Sequence, residues 1–239
     1  MAPIRSILGF FLKIIIGILL VWLGAAVGCV LYKTLPQIPW IEKEPAVFMG
    51  GFVAYLLIHF LLYKPVFSHV LAHELTHALA AVMMGGKVSS LEASDKGGNT
   101  VVNKSHVFIC LAPYIFPFYT AVTLLFYLVA AEPHRIYFIA VMGFTYAFHV
   151  VLTIYSLSHH QPDLQEGGVV FSLIFILTGN LVIFLLLVCL VCPKILHWSQ
   201  AFHETFQSFH QTFQWVLSLS RSFWVWAKPY LSRLKGHAS

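Results

Sequence analysis

The chain has 239 residues, 59% of them hydrophobic and 10% charged, with a mean hydropathy of +0.82 and a formal net charge of +5. Soluble domains carry about 25% charged residues, so the composition excludes a soluble enzyme, a disordered chain and a disulfide scaffold, and points to an integral membrane protein. Only helices or closed barrels satisfy their backbone in lipid, and the apolar runs are too long and uniform for barrel strands of about 10 alternating residues.

A spanning helix needs about 20 mainly apolar residues. Six segments reach or approach that length: Ile7–Leu31, Ala46–Tyr63, Val66–Met84, His106–Ala131, Ile136–Leu157 and Gly167–Cys192. The first carries only Lys13 as a charge and is too long for a signal-peptide core, so it is expected to be retained. Between the third and fourth lies one sizeable polar loop, Gly85–Ser105. There Val88–Ala93 and Asn99–Asn103 read as strands joined by the turn Asp95-Lys96-Gly97-Gly98, a short β-hairpin. The fold class expected is therefore an all-α polytopic membrane protein of about six transmembrane helices, with one hairpin and a C-terminal amphipathic interfacial helix. Three regions follow: residues 1–65 with two helices, a core over 66–192, and a basic tail over 193–239.

In the tail, Phe202, Phe206, Phe209, Phe213 and Val216 recur at steps of four and three and mark one helix face. His203, Gln207, His210, Gln211 and Gln214 hold much of the other face. Lys194, Arg221, Lys228, Arg233 and Lys235 face a single acid, Glu204, which accounts for +4 of the net +5. Such a tail suits anionic lipid rather than nucleic acid, and a partner protein is its alternative occupant. The four cysteines (Cys29, Cys110, Cys189, Cys192) all fall in apolar runs and read as small apolar residues. Six spans place both termini on one side, and Lys and Arg near the span ends are balanced between the two sides.

One motif carries chemistry. His73-Glu74-Leu75-Thr76-His77 is HExxH on an expected helix, where positions i and i+4 share a face, so two imidazoles can converge on one tetrahedral Zn2+. Glu74 stands beside the first ligand, placed to act as general base on a metal-bound water. A charge at mid-span costs about 2.5–3.5 kcal/mol, and Glu74 is the only acid within any of the six segments. A catalytic zinc needs a third protein ligand. Asp163 is favoured: it leads into the sixth segment, on the membrane face where the third ends. Glu166, His149, His159 and His160 are the alternatives. Asp95, in the hairpin turn, is expected to be solvated. His69, one turn before His73, is expected to bond a neighbouring carbonyl, with support of the metal ligands as its alternative role.

These residues resemble those of the site-2 protease family of intramembrane zinc metalloproteases, over about residues 66–190. His73-Glu74-Leu75-Thr76-His77-Ala78 is similar to the family's HELGH opening, Gly85-Gly86-Lys87-Val88 to its small-residue turn, and Gly97-Gly98 to its hairpin glycines. Ala112-Pro113 resembles its Ala-Gly-Pro, and Pro162-Asp163 its Pro- and Asp-containing motif. The family writes Asp-Gly directly, whereas here Leu164-Gln165-Glu166 intervene before Gly167-Gly168. The resemblance implies His73, His77 and Asp163 as zinc ligands and Glu74 as catalytic base. It also implies a membrane-protein substrate whose unwound segment pairs with the hairpin. The expectation is a zinc-dependent intramembrane endopeptidase, multi-pass, in a bacterial inner or cell membrane. Its rival is a non-catalytic membrane scaffold or assembly subunit acting through the C-terminal tail. A haem protein is a third class, drawn from the 13 histidines, but it leaves Glu74 between two histidines without a role.

Overall fold

The computed structural model describes residues 2–104, 106–158 and 162–236, with side chains described from 9 to 228. His159 and His160, two of the alternative ligands, lie outside the described residues. Among the described residues, nine α-helices and one hairpin follow in order: α1 (Ala2–Thr34), α2 (Lys43–Leu61), α3 (Val66–Met83), β1 (Val88–Ser94), β2 (Gly97–Val102), α4 (Val107–Leu111), α5 (Phe118–Val129), α6 (Arg135–Leu157), α7 (Asp163–Gly167), α8 (Val169–Val191) and α9 (Trp198–Gly236). Prolines punctuate them: Pro65 immediately precedes α3 and Pro162 precedes α7.

Among the described residues, four helical stretches are long and apolar enough to cross a membrane: Gly9–Gln37, Lys43–Leu61, Glu132–Leu157 and Val169–Val191. They mark the chain as a membrane protein. Two of the six expected spans differ. The segment His106–Ala131 is not one rod: α4 with its following 3-10 turn, Ala112–Tyr114, and α5 meet at a 72° bend. Pro113 and Pro117 flank that break, and neither can donate the backbone hydrogen bond that a continuing helix requires. Helix α3 also falls outside the four, since its histidines, Glu74 and Thr76 dilute its apolar content.

The helices pack in pairs. α2 lies against α6, and the two approach through glycine: a Cβ at Gly51 would collide with the Ala140 carbonyl, and one at Gly143 with the Phe48 carbonyl. In lipid, helix association relies on this kind of close backbone fit. α1 pairs with α8, where Thr178 donates to the Leu20 carbonyl at 3.0 Å. The main core gathers at one end of the bundle, from Val27, Val30, Phe48, Met142, Val188 and Leu196 among others. Cys189 and Cys192 are buried in it as unbridged thiols.

Helix α9 forms the tail. It packs along α1, antiparallel to it: Thr34 and Ser208 line one cavity, while Trp22 meets Phe209 and Phe213 at 5.7 and 5.1 Å further along. Ala201 and Ser208 are buried, whereas Phe202 and Phe206 of the aromatic stripe are 76% and 63% exposed. Small residues at Ala201 and Ser208 and the rings of Phe209 and Phe213 meet α1, while Phe202 and Phe206 stay outside.

The hairpin packs on α3. Its register runs from Val88↔Val102 to Ser94↔Gly97, with an irregularity between Val88 and Ser90. Gly97, at φ +136°, closes the turn in a region open to glycine. Two small apolar clusters then fix α4 between α3 and α7. Ala80 and Ala81 pack on Ile109 and Ala112, while Leu111 and Tyr114 pack on Leu164 and Ile176.

Candidate metal centre

Helix α3 projects His73 and His77 toward α7, and the α4 segment holds α7 over them. The Nε2 atoms of His73 and His77 are 3.1 Å apart. Asp163 Oδ2 lies 3.4 Å from the first and 3.6 Å from the second. A tetrahedral ion with bonds of about 2.0–2.1 Å separates its ligand atoms by about 3.3 Å, so the triangle has the size of one face of such a polyhedron. Among the described residues this is the one group of His, Cys, Asp or Glu atoms gathered closely enough to hold a metal ion. Two imidazoles and a carboxylate are a donor set that suits a divalent cation.

The ligand atoms are themselves supported. His77 Nδ1 donates to the Ile109 carbonyl at 2.9 Å, which leaves the Nε2 lone pair for a metal. Tyr114 Oη donates to Asp163 Oδ2 at 2.9 Å, and Tyr114 is 1% exposed. Asn180 of α8 donates to the Tyr114 carbonyl at 2.8 Å and faces His149 Nε2 at 3.2 Å. Burial pushes the Asp163 carboxyl up, but the His73 and His77 rings beside it outweigh that and hold it below the usual carboxylate range.

Glu74 is 7% exposed and turned toward the hairpin. Thr100 Oγ1 of β2 donates to Glu74 Oε2 at 2.7 Å and lies 3.1 Å from the Glu74 carbonyl. A Cβ at Gly98 would come 2.6 Å from Glu74 Cγ and 2.8 Å from Oε1. The three ligand residues, Glu74, Gly98, Asn99, Thr100 and Lys104 share a cavity of about 250 Å³. That space takes several water molecules or a short piece of extended chain.

The remaining sequence candidates lie elsewhere. His149 is buried on α6 and engaged by Asn180. Glu166 is exposed on α7 and is not part of the triangle. His69 Nε2 bonds Ser156 Oγ at 2.8 Å, a hydroxyl of α6 rather than the expected carbonyl. Asp95 is exposed in the hairpin turn. Sequence reasoning did not single out Tyr114 or Thr100, and it gave Asn180 no role. No spacing rule links these residues to the motif; only the Pro113 break, which turns Tyr114 inward, left a trace.

Compared with known proteins, the chain matches no family model, no curated protein and no solved structure.

Proposed function

We propose that the chain is a zinc-dependent intramembrane endopeptidase, hydrolysing a peptide bond in or near the membrane-spanning segment of another protein. The observation that carries this reading is the His73–His77–Asp163 triangle, with edges of 3.1, 3.4 and 3.6 Å, opening on a cavity that also contains Glu74. The resemblance of the HExxH region to site-2 proteases supports it, as do the four apolar helices among the described residues. His73 Nε2, His77 Nε2 and Asp163 Oδ2 would hold the zinc. When bound, zinc polarises a substrate carbonyl and lowers the pKa of a water toward about 7. The Glu74 carboxylate accepts the proton of the attacking water and returns it to the leaving amide nitrogen. Tyr114 and Ile109 keep Asp163 and His77 in orientation. β2 forms one wall of the cavity, where an extended substrate segment is received.

The scaffold reading draws on one observation, the exposed aromatic rings of α9. A single experiment separates the two. Full-length protein in lipid nanodiscs is assayed for zinc by elemental analysis and for cleavage of a panel of fluorescent single-span polypeptides. The protease reading expects one zinc per chain, and loss of cleavage in Glu74→Gln with zinc retained. Wild-type protein without zinc, or a Glu74→Gln variant that still cleaves, overturns it. A cellular activity that survives Glu74→Gln but disappears when α9 is removed establishes the scaffold instead.

A further inference from the structure

The polar contact between the hairpin and Glu74 has no need to exist for folding alone. Strand β2 already packs on α3 through an apolar residue, with Val102 against Ala80 and Ala81. It also places a hydroxyl and a glycine on the two sides of one buried carboxylate. Thr100 Oγ1 donates to Oε2 at 2.7 Å, and Gly98 leaves space beside Oε1 that a methyl group would fill at 2.8 Å. Gly98 does not need to be glycine for its backbone, since its φ is not positive. It needs to be glycine because Glu74 and Val70 press against it, a Cβ there lying 2.6 Å from Glu74 Cγ and 2.7 Å from Val70 Cγ1. Among the described residues, Oε1 takes no protein hydrogen bond, while Oε2 is held.

We infer that β2 is a clamp for the catalytic base: Thr100 is a positioning residue that fixes one Glu74 oxygen, and Gly98 keeps the other open to the reacting water. The inference rests on the protease reading and adds to it the means by which the base is aimed. A glutamate side chain turns about three bonds, and fixing it in one rotamer removes a search at every turnover. The Thr100 bond is charge-assisted, so it is among the stronger hydrogen bonds available. Holding the carboxylate in one place favours the water's approach and leaves metal affinity untouched, because Thr100 touches none of the three metal-binding atoms.

The test uses the full-length, zinc-loaded protein in nanodiscs and a fluorescent alkyl hydroxamate as probe. A hydroxamate chelates the metal and donates its hydroxyl proton to the base carboxylate, so its affinity reports the aim of Glu74 without any substrate. Thr100→Val, which keeps shape and strand preference, is expected to weaken binding about tenfold with zinc content unchanged, the loss of one hydrogen bond to a charged group. Thr100→Ser, which puts the hydroxyl back, is expected to recover most of that loss. Gly98→Ala is expected to weaken binding by a different route, by displacing the carboxylate. On a Glu74→Gln background, Thr100→Val is expected to add nothing further, since a residue acting through Glu74 cannot act once Glu74 is changed. Equal hydroxamate affinity in wild type and Thr100→Val, or full additivity with Glu74→Gln, overturns the clamp while leaving the protease reading in place. Zinc-loaded wild-type protein that binds no hydroxamate overturns both.

Discussion

The α2–α6 pair and the corner formed by α3, the hairpin and α7 are held by different physics. Where α2 meets α6, two glycines let each helix rest against the carbonyls of the other. Around α3, side chains do the joining: His77 to the Ile109 carbonyl, Tyr114 to Asp163, Thr100 to Glu74 and His69 to Ser156. Lipid gives helices no hydrophobic reason to associate, so the first region depends on shape. In the second, removing either member of a bonded pair leaves a buried polar group without its partner. The comparison teaches where a change should be read: as stability at α2–α6 and, on the proposed reading, as metal content and turnover at the corner.

The largest effect belongs to Glu74→Gln, which removes the proposed base while leaving the triangle. Cleavage is expected to fall by about 10²–10⁴-fold, the usual range for a general base, with zinc still bound and the melting temperature unmoved. Next, Asp163→Ala and His77→Ala each delete a corner of the triangle. Zinc affinity is expected to drop beyond the roughly 10–100-fold that loss of a supporting group costs, measured by competition with a chromophoric chelator. Tyr114→Phe is such a loss: it removes the hydroxyl from Asp163 Oδ2 and is expected to weaken zinc by about tenfold or somewhat more. Were that variant to bind zinc as wild type does, Tyr114 would belong with the shape-dependent region instead.

Gly51→Ala addresses the other side of the comparison. It is expected to cost about 1–3 kcal/mol, as overpacking does, with zinc stoichiometry unchanged; detergent-solubilised protein melted with and without the change would show it. The smallest effect concerns acid. The Asp163 carboxyl is lowered in the folded protein, so it contributes stability above the ordinary carboxylate range and loses it as pH falls below about 4. The metal-free protein is therefore expected to melt at lower temperature on acidification through that region, and Asp163→Asn to flatten the dependence.

Local signals carried a good deal of this. HExxH could be read because its chemistry is written within five consecutive positions, and the hairpin because Asp95-Lys96-Gly97-Gly98 is a turn of known type. Asp163 was favoured by topology, yet Glu166 and three histidines stayed open, since nothing short-range says which side of α7 faces α3. The bend at Pro113 and Pro117 was legible in principle, but a long apolar run outweighed it. Thr100 and Tyr114 were not legible at all. Each acts on a residue far away in sequence, and each owes its place to packing: β2 on α3 in one case, Leu111 and Tyr114 on Leu164 in the other. Helix α9 shows the same limit. Its aromatic stripe was evident, but which of its rings would meet α1 depended on how closely two backbones can approach.

Asp163 sits on a five-residue helix, α7, which Gly168 at φ +87° joins to α8, the last of the four apolar stretches. The histidines are made early in translation and their carboxylate late. During biosynthesis the donor set stays incomplete until α7 has emerged and α8 anchors it. On the proposed reading, a nascent chain therefore lacks the complete donor set, and with it any hydrolytic chemistry, until α7 has been made.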